Sequence, residues 1–373
     1  MAKANKEQVE VTSKDLSKAE RIALFKKSME KKYGENTMIN GNQGSIYHEH
    51  VSTGSIGLDK AIGIGGLPRG KITEIFGPES SGKTTIAISV MAEAMKDKDI
   101  HCGFVDVEHA YDRAYGEKLG IDSNRLTIGK PDNGDDALEM ARQMCISGDY
   151  DVIVVDSVAA LVPKSEIDGD AEIGDQRPAN QARLMSQGCR VLTPVIAKSN
   201  CVFIFINQLR DKPNMGGGGR PGMPTPQVTS GGNALKFYAA VRLDVKRYYS
   251  KGVDGKQGGA IMDGEEMIGN LTKVKVIKNK VSPPFRACEF NILFGEGIDK
   301  FSEIIQMGVE AGVIVKGGSW YKYNDTNLGQ GIESVKQAMR DNEEMYLEVK
   351  KKVEDTFVPT EFAPSDEDIE NQI

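Results

Sequence analysis

The run Gly77-Pro78-Glu79-Ser80-Ser81-Gly82-Lys83-Thr84, continued by Thr85, has the residue types that bind a phosphate chain, at the spacing GxxxxGK[ST]. Glycines in such a loop let successive backbone N–H groups turn inward on phosphate oxygens. A helix opening behind the loop adds positive potential, Lys83 reaches the β and γ phosphates, and Thr84 offers its hydroxyl to Mg²⁺. Asp156 closes the apolar run Val152-Ile153-Val154-Val155. That position predicts a carboxylate at the C-terminal edge of a buried parallel strand, where it can hold Mg²⁺ through its water shell. Hydrolysis also needs a group that orients and deprotonates water. Glu108, just past the run Gly103 to Val107, is the best-placed carboxylate, and Asp106 competes with it. Spacing does not separate the two, because adjacent acids at a strand end are also ordinary solvated loop charges.

A second set of residues suits a polyanion. Arg183, Ser186 and Arg190 fall on one helical face with Gln187 alongside, and such a row can contact consecutive phosphates; a plain solvated helix face would have the same spacing. The loop Leu209 to Ser230 carries Arg210, Lys212 and Arg220 against the single acid Asp211, with glycines at 216, 217, 218, 219 and 222. It is too long and too glycine-rich to be ordered unaided, which predicts ordering on a ligand. Gly231, Gly232 and Asn233 then open a helix (ALKFYAA) and offer backbone N–H groups to a phosphate. His48 and His50 lack further ligands nearby and read as surface residues, not a metal pair.

The elements that must position these groups alternate. Ile72 to Phe76, Gly103 to Val107, Val152 to Val155 and Val202 to Ile206 have strand length and β-branched content, and helical patterns lie between them; Ile86, Val90 and Ala94 share one side of the helix behind the phosphate loop. The pattern predicts an α/β fold with a mainly parallel central sheet and antiparallel strands (Ala239 to Val245, Val274 to Ile277) added at one edge. The connection Lys251 to Gly269 reads as a mobile hairpin. Residues 1–33 read as a helix with an apolar stripe (Leu16, Ala19, Ile22, Ala23, Phe25, Met29) behind a cap at Thr12 or Ser13, suited to packing on another subunit. The core is expected over 34–282. After Pro283 and Pro284 comes a small α+β unit over 283–353, with helices near 301–311, 333–340 and 343–356 and a hairpin whose core takes Trp320, Tyr321 and Tyr323.

At 373 residues, 39% hydrophobic and 27% charged, the chain can bury a large core and a smaller second one, which excludes general disorder. The best apolar run, Val152 to Val162, is broken by Asp156 and Ser157, far short of the ~20 apolar residues of a membrane span. Five dispersed cysteines without CxxC spacing, and a start without an apolar signal core, predict a reducing cytosol with the thiols packed as apolar groups. The net charge of -7 is confined to the tail 354–373, with seven acids and no Lys or Arg; the rest balances at 47 acidic against 47 basic residues. A basic patch is therefore compatible with the overall acidity, and the tail can compete with a polyanion for it.

GPESSGKTT, FVDVEHAYDRAY, VIVVDSVAALVPKSEI, FIFINQLR, SGGNALKFYAAVRLDV, KVKVIKNK and the C-terminal GEGID and SWYKY together resemble the bacterial RecA recombinase family, in the same order and nearly the same spacing, from about residue 10 to 355. The resemblance implies a RecA-type P-loop ATPase core with an N-terminal polymerisation helix and a small C-terminal domain. It implies an ATP- and Mg²⁺-dependent helical filament of identical subunits on single-stranded DNA, which searches homologous duplex DNA and exchanges strands in the cytoplasm. A repressor whose self-cleavage the filament stimulates is a further candidate partner. By the same resemblance Glu108 activates water, and Asp112 and Tyr115 lie against the base and ribose. Gln208 senses the γ-phosphate, Lys278 and Lys280 reach ATP on the neighbouring subunit, and the α-helical row at Arg183 lines the primary DNA site. Three segments depart from the family pattern. The loop after Leu209 is longer and without its usual aromatic, with Met215 and Met223 as its large apolar residues; Asp168 to Pro178 carries a small insertion and a proline; and Lys251 to Gly269 is expanded. The alternatives are a helicase-like motor built as a closed ring, and a DNA-binding scaffold that uses ATP only as an assembly switch.

Overall fold

Residues 16–34, 37–38, 48–167, 178–211, 227–248, 250–251 and 257–356 are described by a computed structural model of the chain. Several sequence expectations lie outside these residues: caps at Thr12 and Ser13, the loop 168–177, Lys212, Met215, Arg220 and Met223, and the tail beyond Thr356. The chain forms two units, Met1–Tyr47 and His48–Ile373. In the first, α1 (Lys18–Tyr33) begins at Ser17, whose hydroxyl accepts from the Glu20 N–H while the Glu20 carboxylate accepts from the Ser17 N–H. This reciprocal pair satisfies two of the helix's orphan donors and fixes the start at Ser17, and Lys31 and Lys32 in the last turn complement the helix dipole.

The second unit starts with the ribbon of β1 (His50–Val51) and β2 (Leu67–Pro68), which flank α2 (Ile56–Ile62). Strand and helix then alternate through β3 (Lys71–Gly77), α3 (Lys83–Ala94), β4 (Cys102–Asp106), α4 (Arg113–Lys118), β5 (Leu126–Gly129), α5 (Gly134–Ser147) and β6 (Val152–Asp156). After the short α6 (Lys164–Ile167) come α7 (Pro178–Ser199), β7 (Val202–Asp211), β8 (Gln227–Thr229), α8 (Ala234–Tyr238) and β9 (Val241–Arg247). The strands β9, β3, β7, β6, β4 and β5 are adjacent in that order and parallel. Period-2 alternation splits their side chains between two cores. Val152 and Val154 face the α3 side and Ile153 and Val155 the side of α5 and α7, each fully buried and each contributing roughly 1.5–3 kcal/mol.

Beyond β9 the sheet turns antiparallel. Short strands β10 (Ser250–Lys251) and β11 (Gln257–Gly258) pair with each other, β12 (Ala260–Asp263) pairs with the long β13 (Glu266–Asn279), and β14 (Ala287–Leu293) and β15 (Gly297–Ile298) complete the edge. The hairpin expected over 251–269 is present among the described residues as two antiparallel pairings, β10 with β11 and β12 with the start of β13. Two expectations change here. The run Ala239 to Val245, expected as an added antiparallel strand, forms β9, which is parallel to β3 and antiparallel only to β13. The double proline does not end the core sheet, which runs on to Ile298; Pro283 and Pro284 only turn β13 into β14.

The small unit begins with α9 (Lys300–Glu310) and continues as the sheet of β16 (Val315–Gly317), β17 (Trp320–Tyr323) and β18 (Thr326–Gln330), then α10 (Ile332–Asp341) and α11 (Glu343–Asp355). Its own core gathers Ile304, Ile305, Val335, Met339, Val349 and Val353. Tyr321 and Tyr323 are in that core as expected. Trp320 is not: alternation along β17 turns it outward, and it is 46% exposed.

Candidate nucleotide site

Sheet register lines up the chemistry. Gly77 stands abreast of Gln208 across β3 and β7, and Asp106 abreast of Asp156 across β4 and β6, so residues scattered over 130 positions of sequence share the C-terminal edge of the parallel strands. Gly77 cannot carry a side chain, since a Cβ there would lie 2.0 Å from the Val245 carbonyl oxygen. The loop that follows delivers the chain to α3 at Lys83. There the ammonium is buried and donates to the Pro78 carbonyl at 2.7 Å, while Thr84 Oγ1 donates to Asp156 Oδ2 at 2.8 Å. Burial lowers the Lys83 pKa, opposed by the nearby charges of Asp156, Glu108 and Glu79. Burial likewise pushes Asp156 up to about 6, with the Thr84 hydrogen bond acting against it. Both shifts describe charges short of partners.

Of the two competing acids, Asp106 is spent on structure. Its two oxygens accept from the Ala110 and Tyr111 N–H groups, each at 3.1 Å, and so shape the turn after β4. Glu108 instead faces the strand edge, where its Oε1 accepts from Gln208 Nε2 at 2.9 Å and from the Ser157 hydroxyl. Asp112 caps α4 through Ala114 and Tyr115, and the Tyr115 hydroxyl meets Thr85 Oγ1 at 3.1 Å. Tyr115 and the loop residues Ser80 to Thr85 line a cleft of about 320 Å³.

The far wall of that cleft was not legible in sequence. It comes from the antiparallel edge: Arg247, Asn270, Thr272, Ile292 and Phe294, with Arg247 Nε donating to the Ser80 carbonyl at 2.5 Å. No motif marks these residues; only the pairing of β9, β13 and β14 brings them to the loop. A buried network also went unread. Glu74 is fully buried, paired with Arg242, and accepts from Asn207 Nδ2 at 2.9 Å. Asn207 in turn donates to the Ser230 carbonyl at 3.1 Å and accepts the Gln208 N–H at 2.9 Å, so it ties Gln208 to the end of the long loop.

Lys278 and Lys280 are not part of this cleft. Lys278 Nζ donates to the carbonyls of Lys236 and Phe237 at 2.6 and 3.0 Å, and Lys280 to that of Phe237 at 3.4 Å. Their neighbour Asn279 pairs with Val241, which pairs with Thr73 near the start of β3, away from the phosphate-loop end. Arg183, Ser186, Gln187 and Arg190 form the exposed face of α7, opposite the buried Met185, Cys189, Leu192 and Ile196. Arg210 is exposed at the base of the long loop, with Nη2 on the Ala159 carbonyl at 3.2 Å. Gly231 and Gly232 have left-handed φ values of 77° and 73°, and a Cβ on Gly231 would lie 2.8 Å from Met185 Cγ, so close packing on α7 demands them; Asn233 opens α8 without a side-chain cap bond. His50 Nδ1 lies 3.1 Å from the His48 carbonyl, and no cluster of metal-ligating side chains occurs among the described residues. No described helix is long and apolar enough to cross a membrane.

Comparison with known proteins matches nearly the whole chain. The family model described as RecA N-terminal domain matches residues 20–299, and that described as RecA C-terminal domain matches 302–358. Among curated relatives, Protein RecA of Sinorhizobium fredii is 50% identical over 351 residues, 94% of this chain and 91% of the relative. Protein RecA of Rickettsia bellii is 49% identical over 340 residues, covering 91% and 94%, and that of Porphyromonas gingivalis 49% over 349 residues, covering 93% and 96%.

Proposed function

Because the chain belongs to the RecA family of recombinases, DNA-dependent ATPases that form filaments on single-stranded DNA, we propose that the strand-edge cleft is its ATP site, completed by the next subunit. Gly77, Glu79, Ser80, Ser81, Gly82, Lys83, Thr84 and Thr85 hold the phosphates, and Asp112 and Tyr115 the base and ribose. The loop suits that ligand. Lys83 Nζ rests on a backbone carbonyl, an acceptor that a phosphate oxygen replaces, and the Ser81 hydroxyl is buried with no partner. Thr84 and Asp156 would hold Mg²⁺, and the raised pKa of Asp156 marks a carboxylate that gains from a cation. When bound, Mg²⁺ neutralises charge developing on the phosphates.

Glu108 orients and deprotonates the attacking water. Gln208, a neutral amide, donates to a terminal phosphate oxygen before hydrolysis and returns to Glu108 afterwards. Asn207 carries that change to Ser230 and the DNA-facing loop. Lys278 and Lys280, remote from their own cleft, serve the neighbour's. DNA is gripped through its phosphates by Arg183, Ser186, Arg190, Arg210 and Lys212 and by the backbone at Gly231, Gly232 and Asn233, so binding is indifferent to sequence and steeply salt-dependent. The chain then divides into a polymerisation segment (1–33), an ATPase and DNA-binding core to about residue 299, a C-terminal α+β domain and an acidic tail (354–373). The reading extends to a cytoplasmic protein whose filament stimulates self-cleavage of a repressor.

The observation that carries the mechanism is the 2.9 Å contact between Gln208 and Glu108, the residues to which the family resemblance gives sensing and catalysis. ATP turnover measured with and without single-stranded DNA, with negative-stain images of the same samples, tests it. Turnover should rise with DNA as filaments form, and Lys83→Ala should remove both. ATP-driven filaments persisting in that variant would overturn the phosphate assignment.

A further inference from the structure

Five cysteines are free, and two of them meet. Cys145, near the end of α5, and Cys201, immediately before β7, place their sulfurs 3.8 Å apart in the core beneath the sheet. The other buried thiols differ: Cys102 Sγ lies 4.0 Å from the Met91 carbonyl, and burial pushes both Cys102 and Cys189 up to about 12, as expected of inert apolar filling. Here the Ser199 hydroxyl donates to Cys201 Sγ at 3.3 Å. Either sulfur can donate in that contact, and the Ser199 bond to Cys201 favours the thiolate there, which makes Cys201 the nucleophile and Cys145 the proton-bearing partner.

The pair is buried, yet it sits just inside two helix ends. Cys145 precedes the exposed Ile146, Ser147 and Gly148 that finish α5, and Cys201 follows the exposed Asn200 that leaves α7. Terminal turns open at little cost, so fraying at these ends admits a small oxidant without unfolding the sheet.

We propose that Cys145 and Cys201 form a reversible disulfide when the protein meets a peroxide, a modification site far in sequence from the nucleotide loop. The Cys201 thiolate attacks one peroxide oxygen, the O–O bond breaks, and the departing hydroxide leaves as water with the thiol proton. Cys145 sulfur then attacks the Cys201 sulfenic acid, the S–O bond breaks, and a second water leaves with the Cys145 proton. Two thiols lose two electrons in all, and one peroxide becomes two waters. The closed bridge joins α5 to the strand whose other end holds Asn207 and Gln208.

The test treats the full chain with hydrogen peroxide, denatures it, alkylates the remaining thiols and maps the peptides. Expected are the loss of two of the five alkylatable thiols, a peptide joining residues 145 and 201, and recovery of both thiols with dithiothreitol. The bridged form should also resist heat better than the reduced form, because the link shortens the unfolded chain's reach. In Cys145→Ala, Cys201 should take up peroxide oxygen without a cross-link; Cys201→Ser gives the matching control should that variant not fold. The proposal is overturned if both thiols remain alkylatable after the half-buried Cys288 has been oxidised. It is overturned equally if bridges join other cysteines, or if Cys145 and Cys201 become separate sulfinic acids.

Discussion

Buried carboxylates occupy two regions of this molecule under opposite conditions. At and behind the strand edge they face cations: Glu74 pairs with Arg242, and Asp156 lies within reach of the Lys83 charge. Where α2 meets α9 their hydrogen bonds come from neutral donors. Glu303 Oε1 accepts from the Ser55 hydroxyl at 2.6 Å and the Gly57 N–H at 2.9 Å, while Asp59 accepts from Ser52 and from the Thr53 hydroxyl and N–H. Glu303 Oε2 has no partner. Burial raises both Asp59 and Glu303 to about 7, and each also feels a neighbouring carboxylate, Glu93 for the former and Asp59 for the latter. A buried acid with a raised pKa is therefore not in itself a mark of catalysis. What surrounds it decides whether it awaits a ligand or simply tolerates neutralisation.

One substitution, carboxylate to amide, separates the cases. Glu108→Gln should have the largest effect, cutting DNA-stimulated ATP turnover by about 10²–10³ while leaving the fold and nucleotide binding intact, because only proton abstraction is lost. Filaments of this variant should persist on DNA in ATP, read by light scattering or imaging. Residual turnover within tenfold of the parent would move the base elsewhere and erase the catalytic half of the contrast. Next in size, Glu74→Gln should lower unfolding stability by about 3 kcal/mol, since it leaves the Arg242 guanidinium buried without a counter-charge and sets an amide donor against it. Denaturant unfolding measures this, and a loss below about 1 kcal/mol would mean that water reaches Arg242.

Much of the strand edge was legible because each residue there obeys a local rule. The loop at Gly77 announces itself by spacing, Asp156 by closing an apolar run, and the parallel strands by β-branched runs of strand length. The choice between Asp106 and Glu108 was not local: the resemblance favoured Glu108, and that Asp106 is taken up by the Ala110 and Tyr111 amides is a matter of how the turn folds. Arg247, Asn270 and Phe294 carried no signal because the parallel pairing of β9 with β3, distant in sequence, brings β9 and the strands that follow it to the cleft. Pro283 and Pro284 misled for a related reason. Proline forbids strand locally, but a sheet resumes wherever the next segment can pair, as β14 does on β13. The junction acids were silent as well, since a Ser-rich turn and one glutamate 246 residues later hold no spacing in common.

The smallest effect, at the junction, should carry the opposite sign. Glu303→Gln keeps an acceptor for Ser55 and Gly57 and removes only the charge, so at pH 8 it should stabilise the protein by about 1–2 kcal/mol. The sign follows from linkage. The folded pKa of about 7 lies above the ordinary 4.5, so the native state holds a proton that the unfolded chain has given up between those values. Native stability from this group is complete below about pH 4.5, declines as pH rises towards 7 and is level above it. Parent and variant should therefore unfold alike near pH 4.5 and diverge through pH 7, with Asp59 adding a parallel decline that the variant softens by removing a neighbouring charge. Lys300, Lys96 and Glu93 line the same small cavity, and the Glu93 carboxyl is held below its ordinary range by Lys300, so it stays ionised across the window and drops out of the difference. Thermal midpoints collected from pH 4.5 to 8 would decide. Parallel curves would mean that Glu303 is ionised in the native state with a partner supplied by water, and the two regions would then differ in location but not in kind.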